Sequence, residues 1–164
     1  MASLKEQLKN LDLKQVKLTT NETLSNIMAN EAKRLYGLIQ QEIDNYYKSY
    51  HPIIYNRTEG YRKSLYAEDI ANIKVVGNSL EIGVGFNESL ATHENLFEGH
   101  YSFVPLLMER GWIAKRLEDK YGVIERFTRF DGIKAVERAI EEFNRTNKYG
   151  IIINADKFYN ARVY

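Results

Sequence analysis

Between Ile70 and Phe86 two short apolar runs flank the pair Gly77-Asn78, and no other stretch restricts the chain's conformation so tightly. A two-residue connection between strands needs φ > 0 at its central positions, which glycine and asparagine tolerate, so the stretch predicts a tight β-hairpin. Ile70, Ile73, Val75 and Val76 make the first run. Leu80, Ile82, Val84 and Phe86 make the second, alternating with Glu81, Gly83, Gly85 and Asn87. Such alternation gives one apolar face directed at a core and a second, nearly bare face that can meet a neighbour. A lone two-stranded hairpin is marginal in water, so other elements must cover it.

Helical periodicity supplies them. Leu4, Leu8, Leu11 and Leu18 recur among lysines as an amphipathic arm over residues 1–20. The capping-box spacing Thr19-Thr20-Asn21-Glu22 opens a longer helix whose Leu24, Ile27, Met28, Leu35, Leu38, Ile39, Ile43, Tyr46, Tyr47 and Tyr50 keep helical spacing. It stops by His51-Pro52, because proline disfavours a helical residue before it. Gly37 within it either marks close packing or is simply tolerated. Val104 to Arg110, with Pro105 in its first turn, predicts a short helix ended by Gly111. Asp131 is placed to cap a last helix with Ile133, Val136, Ala139, Ile140 and Phe143 on one face, running to about Asn147. After Gly150 the run Ile151-Ile152-Ile153 predicts a third strand for the sheet. The expected architecture is one α+β domain over 1–164, a small antiparallel sheet packed against a long N-terminal helix and a C-terminal helix.

A chain of 164 residues, 44% hydrophobic, has enough apolar surface for a real core. It has no cysteine, which removes disulfides, thiolate nucleophiles and thiolate metal sites together. The 23 basic and 22 acidic side chains nearly cancel, so no global field recruits nucleic acid or an anionic membrane. The first residues lack the apolar core of a secretory signal, and no run approaches the roughly 20 apolar residues a membrane span needs. Assembly in a cytoplasm, without membrane contact, is the expectation.

His93-Glu94, Glu98 and His100 are metal-ligand residue types, but the histidines stand seven apart rather than one helical turn, and His51 is remote. Gly83-Val84-Gly85 lacks the third glycine and following helix of a dinucleotide loop. The acid pairs Glu68-Asp69, Glu118-Asp119 and Glu141-Glu142 are sequence neighbours, as solvated positions usually are, and the serines lack a nucleophile-elbow context. No catalytic residue, metal site or cofactor follows, and the chain is not expected to be an enzyme. From Arg110 to Arg138 basic residues lie among Trp112, Tyr121, Phe127 and Phe130, but acids leave only +3 by formal count. Interface use outweighs the alternative, a small nucleic-acid-binding module. Residues 87–103 show no sustained period and predict a long interaction loop, ordered against a partner, with Leu90, Leu96, Phe97, Tyr101 and Phe103 in it. The candidate partner-binding residues are Leu96, Phe97, Tyr101, Phe103, Trp112 and Arg116.

The order of these motifs resembles the small neck and tail-completion proteins of long-tailed bacteriophages. The resemblance rests on a long helix, then Arg57-Thr58-Glu59-Gly60-Tyr61-Arg62-Lys63-Ser64-Leu65, a hairpin ending Gly83-Val84-Gly85-Phe86, a loop and a late helix. Arg57, Thr58, Gly60, Tyr61 and Ser64 match the family's Arg-Thr-Gly-x-Leu-x-x-Ser turn, with Glu59 inserted and Tyr61 at the leucine position. Gly111-Trp112 and Phe130-Asp131-Gly132 look like variants from phages and prophages of Gram-positive hosts. The similarity spans about Ile43 to Asn147. It implies a virion structural role in the neck or tail, as a homo-oligomeric ring between connector and tail tube, assembled in the host cytoplasm by protein contacts.

Overall fold

The computed structural model describes residues 12–17, 22–49, 59–77, 79–94, 101–113, 129–151 and 153. A 3-10 turn at Leu13–Gln15 is followed by α1 (Leu24–Ser49), α2 (Gly60–Ser64), β1 (Leu65–Ala67) and a second 3-10 turn at Ile70–Asn72. Then come β2 (Lys74–Val76), β3 (Ser79–Glu81), β4 (Val84–Phe86), α3 (Glu88–Ala91), β5 (Thr92–Glu94) and β6 (Tyr101–Phe103). α4 (Val104–Arg110), β7 (Trp112–Ile113), β8 (Arg129–Phe130) and α5 (Ala135–Thr146) complete the order. The fold is α+β, as the periodicities predict, but its strands form separate two-stranded ladders: β1 with β4, β2 with β3, β5 with β6, β7 with β8. Contacts divide the chain into two compact units, residues 1–37 with 66–85 and residues 38–65 with 86–164.

In the first unit α1 begins at Thr23, whose hydroxyl accepts the Asn26 N–H at 3.3 Å. That is a later start than the capping-box spacing suggests; Thr19, Thr20 and Asn21 lie outside the described residues. The Leu24 N–H, another donor left over at a helix start, reaches the Val16 carbonyl at 2.6 Å. Ile27, Ala29, Ala32 and Leu35 are buried, while Gly37 is exposed, with open space where a Cβ would stand. Gly37 is thus a tolerated glycine. Of the arm expected over 1–20, residues 1–11 and 18–20 lie outside the described residues. The described part, 12–17, holds a 3-10 turn at Leu13–Gln15 rather than α-helix, capped by the Asp12 carboxylate, which accepts the Lys14 N–H at 3.1 Å.

The hairpin forms where Gly77-Asn78 places it. β2 and β3 pair antiparallel with Lys74 opposite Glu81, Val75 opposite Leu80 and Val76 opposite Ser79, and Gly77 takes φ +59°. Its second run does not stay one strand. Glu68 donates its N–H to the Gly83 carbonyl at 2.8 Å and accepts the Gly83 N–H on Oε2 at 2.7 Å. This double grip turns the chain after β3 and sends β4 to pair with β1. A Cβ on Gly83 would stand 2.9 Å from the Glu68 carboxyl carbon, so a side chain there would push the Glu68 carboxylate off the Gly83 N–H. The apolar face is core only at its base, for Ile73 is buried whereas Val75 and Val76 stand 50% and 51% exposed.

In the second unit the other half of α1 buries Ile39 and Ile43, and α5 buries Ala135, Val136, Ala139, Ile140 and Phe143. The segment Gly60–Ser64 is a turn of helix with Tyr61 and Ser64 inward, the serine hydroxyl donating to the Tyr61 carbonyl at 2.7 Å. Tyr61 stacks on Phe86 at 5.4 Å between ring centroids. Residues 50–58, including the expected stop at His51-Pro52, lie outside the described residues. α4 ends as expected, with Gly111 at φ +78° and its N–H on the Leu107 carbonyl at 2.9 Å. The stretch 87–103 is not a structureless loop. It holds α3 and an antiparallel ladder with Thr92 opposite Phe103, His93 opposite Ser102 and Glu94 opposite Tyr101. Three-residue strands are too short to show a period.

The third strand expected at 151–153 is absent among the described residues. Asn147 accepts the Ile151 N–H at 2.9 Å and donates to the Ile151 carbonyl at 2.7 Å. Asn144 treats Ile153 alike, accepting its N–H and donating to its carbonyl, both at 2.9 Å. Two carboxamides thus take the bonds that a neighbouring strand would have made.

Candidate functional site

The most organised polar arrangement lies in the second unit, where α4 meets the start of α5. α5 opens with Lys134 in the left-handed region, φ +50°, and no side chain of its own caps it. The Asp131 cap expected from the sequence is therefore not formed. Glu109, from α4, takes the place: its Oε2 accepts the Val136 N–H at 3.1 Å and its Oε1 the Glu137 N–H at 2.8 Å. A carboxylate at a helix N-terminus satisfies leftover donors and faces the positive end of the helix dipole. Glu109 is 5% exposed, so these bonds are shielded from water. The chain closes in on it: Ile133 N–H donates to the Met108 carbonyl at 2.7 Å, and a Cβ on Gly132, at φ +82°, would collide with the Glu109 carbonyl oxygen.

Beside this joint lies Tyr61, 4% exposed, whose hydroxyl is the buried side-chain polar atom without a partner among the described residues. Burial pushes its phenol pKa well above the ordinary value, and the Glu109 carboxylate, Tyr47 and Tyr46 push it the same way. The phenol stays neutral and the carboxylate is held by two N–H groups. Glu109 thereby ties α4 to the start of α5, so the arrangement is a lock between helices.

A second feature is the groove of about 530 Å³ lined by Leu38, Gln41, Glu42, Arg138, Ala139, Glu141, Glu142 and Arg145. Four of its five charged side chains pair within it: Arg138 Nε donates to Glu42 Oε2 at 2.6 Å, and Arg145 grips Glu142 through contacts of 2.6 to 3.0 Å.

Of the candidate partner residues, Tyr101 and Phe103 lie in β6 and Trp112 in β7, opposite Phe130 of β8; Leu96, Phe97 and Arg116 lie outside the described residues. The strands therefore separate Tyr101 and Phe103 from Trp112 into two ladders. His93 sits in β5, His51 and His100 are outside the described residues, and no group of three or more His, Asp or Glu able to hold a metal occurs among the described ones. Of the basic segment, 114–128 is outside the described residues, Lys134 pairs with Glu137 at 3.5 Å and Arg138 with Glu42. Glu68 is engaged by Gly83, and Asp69 faces Lys33 at 3.9 Å. Glu109 was hidden to sequence reasoning. Its one signal is a carboxylate inside Val104–Gly111, otherwise apolar up to Arg110, ahead of a helix whose N-cap position holds lysine. No helix among the described residues is long and apolar enough to cross a membrane. Comparison of the chain with protein families, with curated proteins and with solved structures finds no match.

Proposed function

We propose that the chain is a virion structural protein, a tail-completion or head-tail joining component that docks between connector and tail tube by protein-protein contacts. The observation that carries the reading is the β5–β6 ladder. It pairs Glu94 with Tyr101, and the sequence between the two strands, 95–100, contains Leu96 and Phe97. Large apolar side chains at a hairpin connection are suited to entering a pocket on another subunit. The element order supports the same reading, since the Gly60–Ser64 turn with Tyr61 and Ser64 inward stands between a long helix and strand ladders, ahead of a late helix. In a ring of identical subunits each such hairpin meets a neighbour or the connector, and no covalent chemistry is required.

The test is affinity purification of the tagged chain from induced or infected cells. Connector and tail-tube subunits should come with it, and Phe97→Ser with Tyr101→Ser should lose them at an unchanged unfolding midpoint. Recovery of neither subunit, or steeply salt-dependent binding to DNA in their place, overturns the reading.

A further inference from the structure

We infer that residues 1–11 of the chain cover the exposed apolar face of its own β2–β3 hairpin, with Leu8 and Leu11 over Val75 and Leu80. The hairpin and the start of the chain belong to the same compact unit. Val75 and Leu80 are directly opposed, so their side chains share one face, and Ile73, two residues before Val75, continues it. Along that face burial falls off toward the turn: Ile73 is 3% exposed, Leu80 is half-buried and Val75 is 50% exposed. The covering layer therefore stops partway.

The chain enters the described structure beside this gap. The 3-10 turn Leu13–Gln15 lies against β3. Its position is fixed at three points: the Asp12 carboxylate holds the Lys14 N–H, the Lys14 carbonyl accepts the Ser25 hydroxyl at 3.0 Å, and the Val16 carbonyl accepts the Leu24 N–H. What precedes Asp12 must start from there. Eleven residues reach roughly 16 Å as a helix and roughly 35 Å extended, whereas adjacent strands are only about 4.8 Å apart, so β2 is within reach in either form. Leu4, Leu8 and Leu11 fall at four- and three-residue steps, one apolar stripe among polar residues. The charges also match: Lys5 and Lys9 outweigh Glu6 in the segment, while Glu68, Asp69 and Glu81 outweigh Lys74 over residues 66–85. Tethering raises the local concentration of this occupant to the millimolar range, ahead of any free partner.

Because the chain has no cysteine, Leu8→Cys with Val75→Cys places a single reactive pair in the full-length protein. A short bismaleimide should link the two within one chain, as read by peptide mass spectrometry on a mixture of isotopically light and heavy protein. Links joining light to heavy chains would mean that a second copy supplies the segment, and no link would mean that it lies elsewhere; either result overturns the inference. As an independent readout, Leu4, Leu8 and Leu11 changed together to serine should speed exchange of the Glu81 amide, which faces Lys74 in the ladder, by about tenfold, as lost apolar cover does, with Phe143 unaffected. An unchanged rate at Glu81 overturns it as well.

Discussion

Replacing Glu109 by alanine leaves the Val136 and Glu137 N–H groups, now bonded at 3.1 and 2.8 Å, with no acceptor. Losing an N-cap acceptor costs about 0.5 to 2 kcal/mol, and a buried donor left without any acceptor costs about 1 to 3 kcal/mol. Val136 is 1% exposed, so its N–H has little recourse to water, whereas the less buried Glu137 recovers part of its bond from solvent. A loss of about 3 kcal/mol follows, a large share of the roughly 5 to 15 kcal/mol that a domain possesses. For a chain of this length each kcal/mol moves Tm by about 2 to 4 °C, so the variant should melt about 6 to 12 °C lower. Glu109→Gln keeps one acceptor but turns an amide NH₂ toward the other donor, and should fall between. Circular dichroism melts with urea titrations on wild type, Glu109→Ala and Glu109→Gln provide the measurement. Should Glu109→Ala shift Tm by under about 2 °C, the remote cap would be refuted.

Gly77-Asn78 changed to Val-Val forces a β-branched residue to φ +59° and should lower the urea midpoint by an amount corresponding to about 1 to 2 kcal/mol; an unchanged midpoint would refute the turn. Tyr61→Phe deletes the buried hydroxyl that has no partner, so it should be neutral or stabilising by up to about 1 kcal/mol, read from the same melts. Because the folded phenol pKa is raised, its contribution to stability is intact below the unfolded value of about 10 and lost as pH rises past it. An ultraviolet titration should accordingly show one tyrosine that ionises only as the protein unfolds. Asn144→Ala removes both bonds to Ile153 and should expose the chain after Asn147 to limited proteolysis while α5 keeps its amide protection.

The helices were legible because their signals are local. Ile27, Leu35, Ile39 and Ile43 lie on the predicted stripe and are buried, and Gly111 ends α4 with the positive φ that glycine accepts. The Gly77-Asn78 hairpin was legible for the same reason. What escaped depends on side chains that substitute for backbone across distance in the chain. Glu109 caps α5 from 27 residues away, and a helix without a cap of its own invites the nearest acid, Asp131, to be nominated instead. Three isoleucines in a row read as a strand, but Asn144 and Asn147 occupy the bonds at Ile151 and Ile153 first. Tyr101 and Phe103 stand out in the sequence by composition alone, and their ladder pairing is invisible there because each strand spans only three residues.

The two asparagines also measure length. Each carboxamide matches one N–H and one carbonyl of a single residue, so it fixes the direction and the numbering of the passing chain but ignores what side chain that residue bears. Leucine or valine at Ile151 and Ile153 would be held as well. Deleting one residue among 148–150 would instead bring the next residue along, position 152, to the Asn147 carboxamide and move everything downstream by one step of about 3.3 Å. The end of α5 thus works as a ruler for the chain that passes it, fixing the spacing from Asn147 to Ile153 by backbone alone.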